Sequence, residues 1–448
     1  MATERPMDTS NDGTQTEKPH ALQADIAFRR IPDAFDRLSK GADPNERGEF
    51  YGDPLCAAAF RCADRPDVLA ALLKHGASPN SPGGERHGPP LNAAAAAGNI
   101  EGVRMLLGAG ADVNSFGGRY ATALQAAVVN LRDDARELVG LLLDHCADPT
   151  VKGGDYGTPL AASFLFCSGA SNVRALLLGK TLEMQPTKDV MEPAMRRAAA
   201  AGDLAAVKRL HAAGAEPHVL PEAAESGNTE LLRFLLEQGG EVNRIGGLFG
   251  TALATAAFAY PEDTAEATVN VQLLLHHGAN ANTVAGREGS PLQAAAARGN
   301  LIIVKLLLSR GADVHIGGGE RGLPLHAGVW SCSRELVEAL LQAGADVNAE
   351  AGESGTALQV ACEQGCREVA ELLIERGADV NALSGFVGSP LGAAARCEYV
   401  DIARVLLDHG ADPELRFGLG TTPLEEAERM ANEEMAKLIR ERIEAKAK

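Results

Sequence analysis

Apolar positions in the stretch 290–381 recur in a fixed order that repeats along the chain. Each repeat has an alanine-rich run followed by a leucine-rich run at helical spacing, which predicts two consecutive helices. The glycines Gly311, Gly344 and Gly377 each open a GADV run and stand 33 residues apart. A fixed period of this length predicts a solenoid, because one helix pair cannot bury its apolar face alone but a row of pairs can.

The unit that begins at Ser290 shows why these residues should form two helices. A serine hydroxyl caps a helix N-terminus, and Pro291 has no N–H group to leave unpaired at the first helical position. Gly299 allows the chain to turn between the helices, and Gly311 suits the left-handed conformation that ends the second one. The glycine-rich and polar segment 312–322 predicts a hairpin finger. The apolar stripe of the second helix consists of Leu301, Val304, Leu307 and Leu308.

The motifs TPLxxA, a mid-unit glycine, an LL pair and GADVN recur in one order, and together they resemble the ankyrin repeat. The variant TALQAA with glycine-tyrosine fingers at 117–120 and 153–157 is similar to arrays from filamentous fungi. The resemblance implies an all-α solenoid of about 13 helix–turn–helix units with short β-hairpin fingers. It also implies protein binding through the fingers and the concave groove formed by the inner helices.

Breaks in the repeat pattern divide the chain into segments. The first residues are polar and predict a disordered leader. The pattern degrades after Leu178, where an irregular junction with a hinge at 183–191 is expected. The last repeat has a highly charged second helix, as a terminal capping unit requires. The predicted segments are a leader at 1–19, an N-terminal stack at 20–180, the junction at 181–192, a C-terminal stack at 193–442 and a charged tail at 443–448.

Composition narrows the classes of partner. Hydrophobic residues make up 45% of the chain but aromatic residues only 4%, so alanine and leucine must do most of the packing. The formal charge of −18 argues against direct binding to nucleic acid, which needs clustered lysine and arginine. It is compatible with a basic protein partner, although an acidic surface also keeps a protein soluble. We expect a monomer that binds a protein.

The cysteines and the N-terminus predict an intracellular protein. The eight cysteines are scattered without a disulfide-rich layout, and the N-terminal segment lacks the apolar core of a signal peptide. No run of apolar residues reaches membrane-spanning length. The expected location is therefore the cytoplasm or the nucleus. Most cysteines replace small inner-helix or turn residues, namely Cys56, Cys62, Cys167, Cys332, Cys362, Cys366 and Cys397.

Three sequence features invite a chemical interpretation, and each has a simpler one. Gly179-Lys180-Thr181 resembles the end of a phosphate loop, but the motif's first glycine is replaced by Arg174. Cys362 and Cys366 are four residues apart on a helix, but no further ligands lie nearby in sequence for a structural zinc ion. Histidines recur just before the closing glycines and suit helix C-termini: His75, His145, His277 and His409. We predict no cofactor, no metal and no catalytic residues.

The candidate binding residues occupy two register positions. The finger base lies two residues before the capping position of each repeat, and the groove-facing end of the inner helix lies seven residues after it. Scarce aromatic and large apolar side chains gather there, and rigid aromatics are good interface anchors. Alternatively, the finger aromatics pack on one another. The candidates are Tyr51, Phe60, Tyr120, Val129, Tyr156, Leu165, Phe249, Phe258 and Trp330, with Arg321, Arg396 and Glu363 as a polar extension.

These features predict a non-catalytic scaffold or adaptor that holds a partner in its groove. Many modest contacts on a pre-ordered surface would add up with little loss of entropy. One alternative is a transcriptional co-regulator of the kind encoded beside fungal biosynthetic genes. A second alternative is an enzyme whose site lies in the irregular region 179–239.

Overall fold

The structure, a computed structural model, describes residues 21–48, 51–129, 135–166, 171–259, 265–351, 353, 355–385, 388–417 and 420–446. These residues form 26 α-helices that follow one another in pairs, which confirms the predicted all-α repeat fold. The β pairing found in the described fingers consists of isolated bridges, such as Gly153 with Gly157 and Ser384 with Gly388. The leader at 1–19 and Cys167 lie outside the described residues.

Two compact units divide the chain, and the first comprises residues 1–197. In each pair, the first helix is called the inner helix and the second the outer helix. The inner helices of the first unit are α1 (Ala21–Ala27), α3 (Pro54–Arg61), α5 (Pro90–Ala97), α7 (Ala123–Val129) and α9 (Pro159–Phe166). Its outer helices are α2 (Ile31–Ser39), α4 (Pro66–Lys74), α6 (Ile100–Gly108), α8 (Ala135–Asp144) and α10 (Ser171–Glu183). The next helix, α11 (Lys188–Ala200), contains the boundary between the units.

The second unit comprises residues 198–448. Within this unit, inner helices of consecutive repeats pack against one another, and so do the outer helices. Its inner helices are α13 (Leu220–Ser226), α15 (Ala252–Phe258), α17 (Pro291–Arg298), α19 (Pro324–Val329), α21 (Ala357–Gln364), α23 (Pro390–Arg396) and α25 (Pro423–Arg429). Its outer helices are α12 (Leu204–Ala212), α14 (Thr229–Glu237), α16 (Ala265–His276), α18 (Leu301–Ser309), α20 (Arg334–Gln342), α22 (Arg367–Glu375), α24 (Val400–Asp408) and α26 (Glu433–Lys446).

Helix α17 begins with the predicted cap. The Ser290 hydroxyl accepts a hydrogen bond from Gln293 N at 3.2 Å, and Ser290 N donates to Gln293 Oε1 at 2.8 Å. This reciprocal capping box pairs two N–H groups that the helix leaves open. The buried stripe of the following outer helix differs from the prediction, because Ile303 is fully buried with Val304 and Leu307. Leu301 and Leu308 are only half-buried at the edge of that stripe.

Buried amides of the inner helices fix each following finger in place. Gln359 Nε2 donates to Ser384 O at 2.7 Å and also to Gly388 O, so one side chain pairs two carbonyls of the next finger. His326 likewise bonds to the next finger, with its Nε2 atom 2.9 Å from Gly355 O. An unpaired buried carbonyl would lower the stability of the fold. These bonds therefore hold the base of each such finger against the inner helix of the preceding repeat. Equivalent bonds are made by Asn92, Gln125 and Gln293.

Asparagines that follow the closing glycines join consecutive repeats. Asn348 Nδ2 donates to Gly377 O at 3.1 Å, and Asp379 N donates to Asn348 Oδ1 at 2.8 Å. In the GADVN motif, therefore, the glycine ends the outer helix and the asparagine forms hydrogen bonds to the next repeat. The same side-chain bond to the next repeat is made by Asn45, Asn80, Asn114, Asn243, Asn282 and Asn381.

The region predicted as an irregular junction is largely helical. Outer helix α10 extends to Glu183, so Gly179-Lys180-Thr181 lies inside a helix and forms no loop. Residues 184–187 connect it to α11, which begins at Lys188. Pro193, expected to start a repeat, stands inside α11, where it removes one helical hydrogen bond. At the C-terminal end, α26 continues through the expected tail to Lys446.

Candidate protein-binding surface

Aromatic rings of the first unit pack against each other at the finger bases. Tyr51 is buried and its ring centroid lies 6.1 Å from that of half-buried Phe60. His87, which is also buried, completes a triangle of rings, with its centroid 5.7 Å from that of Tyr51 and 4.0 Å from that of Phe60. Tyr51 therefore contributes to the packing of a finger and presents little surface to a partner. His87 occupies the same finger-base position as Tyr51 but is not among the candidates predicted from the sequence.

The next aromatic pair in the first unit is more open. Tyr156 is half-buried, and its ring meets Phe166 edge to face with centroids 5.0 Å apart. Arg119 Nη2 lies 3.4 Å from the Tyr156 hydroxyl and its Nε lies 2.5 Å from Asp155 Oδ2, which ties two successive fingers together. Leu165 is exposed at the end of α9. Tyr120 and Val129 are half-buried at their predicted positions.

The second unit carries a set of aromatic and charged side chains at finger bases and near the C-terminal ends of its inner helices. We call this set the aromatic–arginine face. Its members are Phe249, Phe258, Arg298, Arg321, Trp330, Glu363 and Arg396. Phe258, Arg298 and Arg396 end the helices α15, α17 and α23, and Trp330 directly follows α19. The repeat register therefore places these side chains at the same end of their helices.

Ring and guanidinium contacts order the aromatic–arginine face. Phe249, from a finger base, lies 4.5 Å from Phe258 between ring centroids, and both rings are half-buried. The Arg298 guanidinium lies over the Phe258 ring at 5.1 Å. The Arg321 guanidinium lies 5.9 Å from the Trp330 ring, whose residue is 45% exposed. Trp330 is the only tryptophan of the chain and the most exposed ring of this face.

Two ion pairs continue the face. Arg321 Nη1 lies 3.1 Å from Glu288 Oε2, and the Glu288 carboxylate is buried at the finger base. Arg396 Nη2 lies 2.6 Å from Glu363 Oε1, with both side chains partly buried. Glu288 escaped the sequence analysis, although it stands two residues before Ser290 and so occupies the finger-base position. In each pair the two charges neutralise one another, and Arg321 also lies beside the Trp330 ring.

Exposed aliphatic side chains lie on two adjacent fingers of the second unit. Ile245 and Leu248 belong to one finger and Val284 to the next, and all three are exposed. Arg287 N donates to Leu248 O at 3.1 Å, which joins the two fingers through their backbones. Large exposed aliphatic residues on a rigid backbone extend the apolar surface that begins at Phe249. These three residues lie outside the two register positions and are not among the candidates predicted from the sequence.

Cys332 and Cys366 form a disulfide, with Cα atoms 5.3 Å apart. From the sequence alone, Cys332 and Cys366 are expected to fill positions of small residues, and Cys366 is paired only with Cys362 as a conceivable metal ligand. That expectation is wrong for Cys332 and Cys366, because stacking brings residues about one period apart into contact. Cys362 is buried in its inner helix, as expected, and burial raises the pKa of its thiol. The pairing weakens the cysteine argument for a reducing compartment.

We expect the disulfide to be detectable by alkylation of the unfolded protein. Without a reductant, the alkylated protein should carry two fewer alkyl groups than after reduction. Cys332→Ser should lower the free energy of unfolding by about 2 kcal/mol, whereas Cys397→Ser, at a free cysteine, should change it little. Equal alkylation before and after reduction would contradict the pairing.

The buried histidine of the first unit should make its stability depend on pH. Burial lowers the pKa of His87 to about 4, from an ordinary value of 6.5. The neutral ring is favoured in the folded state, so its contribution is complete above pH 6.5 and is lost as the pH falls towards 4. Chemical denaturation should show a loss of about 2 kcal/mol from this source. His87→Phe should reduce the slope over this interval; an unchanged slope would contradict the assignment.

The described residues contain no group of three or more histidine, cysteine, aspartate or glutamate side chains placed to hold a metal ion. The histidines before the closing glycines bond to their own helices. His75 Nδ1 lies 2.8 Å from Ala71 O, and His409 Nδ1 lies 2.8 Å from Val405 O. Within the same described ranges, no helix is long and apolar enough to cross a bilayer.

Comparisons with known proteins place the repeats in one family. Residues 266–351 and 358–448 match the family described as ankyrin repeats (3 copies), and residues 89–117 match the single ankyrin repeat. Among solved structures, the chain is similar to the human ASB11 ankyrin repeat domain, with 28% identity and a TM-score of 0.44 over 50% of this chain and 96% of that one. No curated protein matches the sequence. The matched repeats support a role in protein–protein interaction, and the chain contains ankyrin repeats at 89–117, 266–351 and 358–448.

Proposed function

We propose that the chain is a non-catalytic scaffold or adaptor whose second unit binds a protein segment on the aromatic–arginine face. The observation that carries the proposal is Trp330, a large rigid ring left 45% exposed in a chain where aromatic residues are scarce. Exposed tryptophan and arginine side chains are the commonest energetic anchors of protein interfaces. Partly exposed Phe249 and Phe258 and the exposed finger aliphatics supply apolar surface around it.

The rigidity of the surface supports the same function. The finger bases are fixed to the inner helices by the buried amide of Gln293 and by His326, and neighbouring fingers share backbone hydrogen bonds. Arg321 and Arg396 are held by Glu288 and Glu363. A receptor already ordered in this way loses little conformational entropy on binding. The net charge of −18 favours a protein over a nucleic acid as the partner.

A photoreactive amino acid in place of Trp330 tests the proposal and identifies the partner. Irradiation of a cell extract should link a protein at this position with high yield. The matched control carries the same photoreactive residue in place of Ile302, which is 44% exposed but lies on outer helix α18. A protein linked equally well from both positions, or from neither, would contradict binding at the aromatic–arginine face.

A further inference from the structure

The three arginines of the aromatic–arginine face differ in one respect. Arg321 and Arg396 each form an ion pair with a glutamate, at 3.1 Å and 2.6 Å. Arg298 has no carboxylate within ion-pairing distance among the described residues, and its guanidinium lies over the face of Phe258 at 5.1 Å. Its Nε atom is buried without a hydrogen-bond partner in the same part of the chain. The Arg298 guanidinium therefore lies over the Phe258 ring, with no ion-pair partner and no bond at its buried Nε among the described residues.

The surroundings of Arg298 favour a carboxylate over other ligands. A guanidinium presents paired N–H donors that match the two oxygens of a carboxylate, and charge-assisted bonds of this kind are stronger than neutral ones. Phe258 covers one face of the cation, which removes water from that side. Because the chain carries a net charge of −18, its long-range electrostatic field disfavours the binding of highly charged anions at Arg298. A single carboxylate within a mostly apolar segment matches the paired N–H donors of Arg298. It also brings too little negative charge to be repelled strongly by the acidic chain.

Helix spacing sets the arrangement of the ligand. Phe258 and Arg298 end the consecutive inner helices α15 and α17, and Trp330 follows α19. Packed helices lie about 8–10 Å apart, so Phe258 and Trp330 are separated by about 20 Å. An extended chain advances about 3.3 Å per residue, so about six residues bridge this distance. The carboxylate then falls near the middle of the segment, with an apolar side chain about three residues away on each side.

We propose that Arg298 binds an aspartate or glutamate side chain of the protein segment that occupies the aromatic–arginine face. The ligand is an extended peptide with an acidic residue between two bulky apolar residues, which contact Phe258 and Trp330. This inference depends on the proposed function, since it assigns the chemistry of the segment bound on that surface. Arg321 and Arg396, already neutralised by their own glutamates, orient the rim of the surface.

Selection from a phage-displayed library of random peptides tests the inference on the full chain. The wild-type protein should enrich peptides with an aspartate or glutamate between bulky apolar residues, and Arg298→Gln should not enrich them. Arg310→Gln, which removes an equal charge at an exposed outer position, should behave like the wild type. Changing the acidic residue of an enriched peptide to its amide should weaken binding to the wild type about tenfold and to Arg298→Gln less than twofold.

The outcomes separate the two proposals. Peptides that need Phe258 and Trp330 but bind equally well as amides, or equally well to Arg298→Gln, would overturn the carboxylate inference and leave the proposed function standing. Tighter binding when the acidic residue is replaced by phosphoserine would also overturn it in favour of a phosphate. If no enriched peptide depends on Phe258 and Trp330, the proposed function fails together with the inference.

Discussion

Replacing Phe258 and Trp330 together by alanine is expected to weaken binding of the protein captured at the aromatic–arginine face by about a hundredfold. Rigid aromatic anchors at the centre of an interface contribute about 1–2 kcal/mol each when truncated, and two of them give the combined effect. Removal of Phe258 also leaves the Arg298 guanidinium without the ring on which it stacks. The loss of binding free energy should therefore exceed the loss expected from the removed apolar contact area alone.

Titration calorimetry with the captured protein measures this change, and denaturation curves show whether the variant is folded. Neither ring belongs to the fully buried core, so the free energy of unfolding should change by about 1 kcal/mol or less. Ile302→Ala, at an equally exposed outer residue, should bind normally. A double variant that folds normally and binds as tightly as the wild type would show that the partner contacts another surface.

Gly286→Ala is expected to lower the free energy of unfolding by about 3 kcal/mol. Gly286 has a φ of +69°, which an L-residue adopts at a cost of about 1–2 kcal/mol. An added Cβ would also lie less than 3.0 Å from backbone atoms of Leu248, Phe249 and Gly250 in the preceding finger. Because backbone atoms cannot move aside as a flexible side chain can, the fingers must separate, at a further cost of about 1–3 kcal/mol.

The matched control is Gly344→Ala, since Gly344 has a φ of +96° but no atom within 4 Å of the added Cβ. That variant should lose only the conformational part, about 1 kcal/mol. Urea denaturation compares the two, and hydrogen exchange should show weakened protection around Leu248 to Gly250 in Gly286→Ala alone. Equal losses in the two variants would contradict close backbone packing between fingers.

The helical repeat could be predicted from the sequence because its signals are local. The Ser290–Gln293 capping box, the turn at Gly299 and the helix end at Gly311 depend on residues a few positions apart. The predicted start of α17 at Ser290 and Pro291 follows from such signals. Where the signals fade, prediction was less successful, and Gly179-Lys180-Thr181 lies in a helix that continues to Glu183.

Features that depend on contact between repeats were harder to predict. Cys332 and Cys366 are 34 residues apart, and their pairing follows only when the register of consecutive turns is known. The burial of Tyr51 depends on His87 from the next finger, which fills the space beside the ring. The sequence alone could place aromatic side chains at the finger bases but could not decide which of them a neighbouring finger would cover.

The candidate surface was partly predictable. The register positions identified Phe249, Phe258 and Trp330, and the structure shows the ring contact between the first two and the exposure of the third. Arg298, which has no carboxylate partner among the described residues, escaped prediction because it lies one residue beyond the groove-facing register position. Its significance appears only when the glutamate partners of Arg321 and Arg396 are seen.

Fluorescence of Trp330 tests most directly whether a protein binds at the aromatic–arginine face, because this chain has no other tryptophan. Quenching by acrylamide should be measured for the free protein and at saturation with a tryptophan-free form of the captured protein. If that protein covers the exposed ring, the quenching constant should fall severalfold and the emission should shift to shorter wavelength. An unchanged quenching constant at saturation would contradict the central claim.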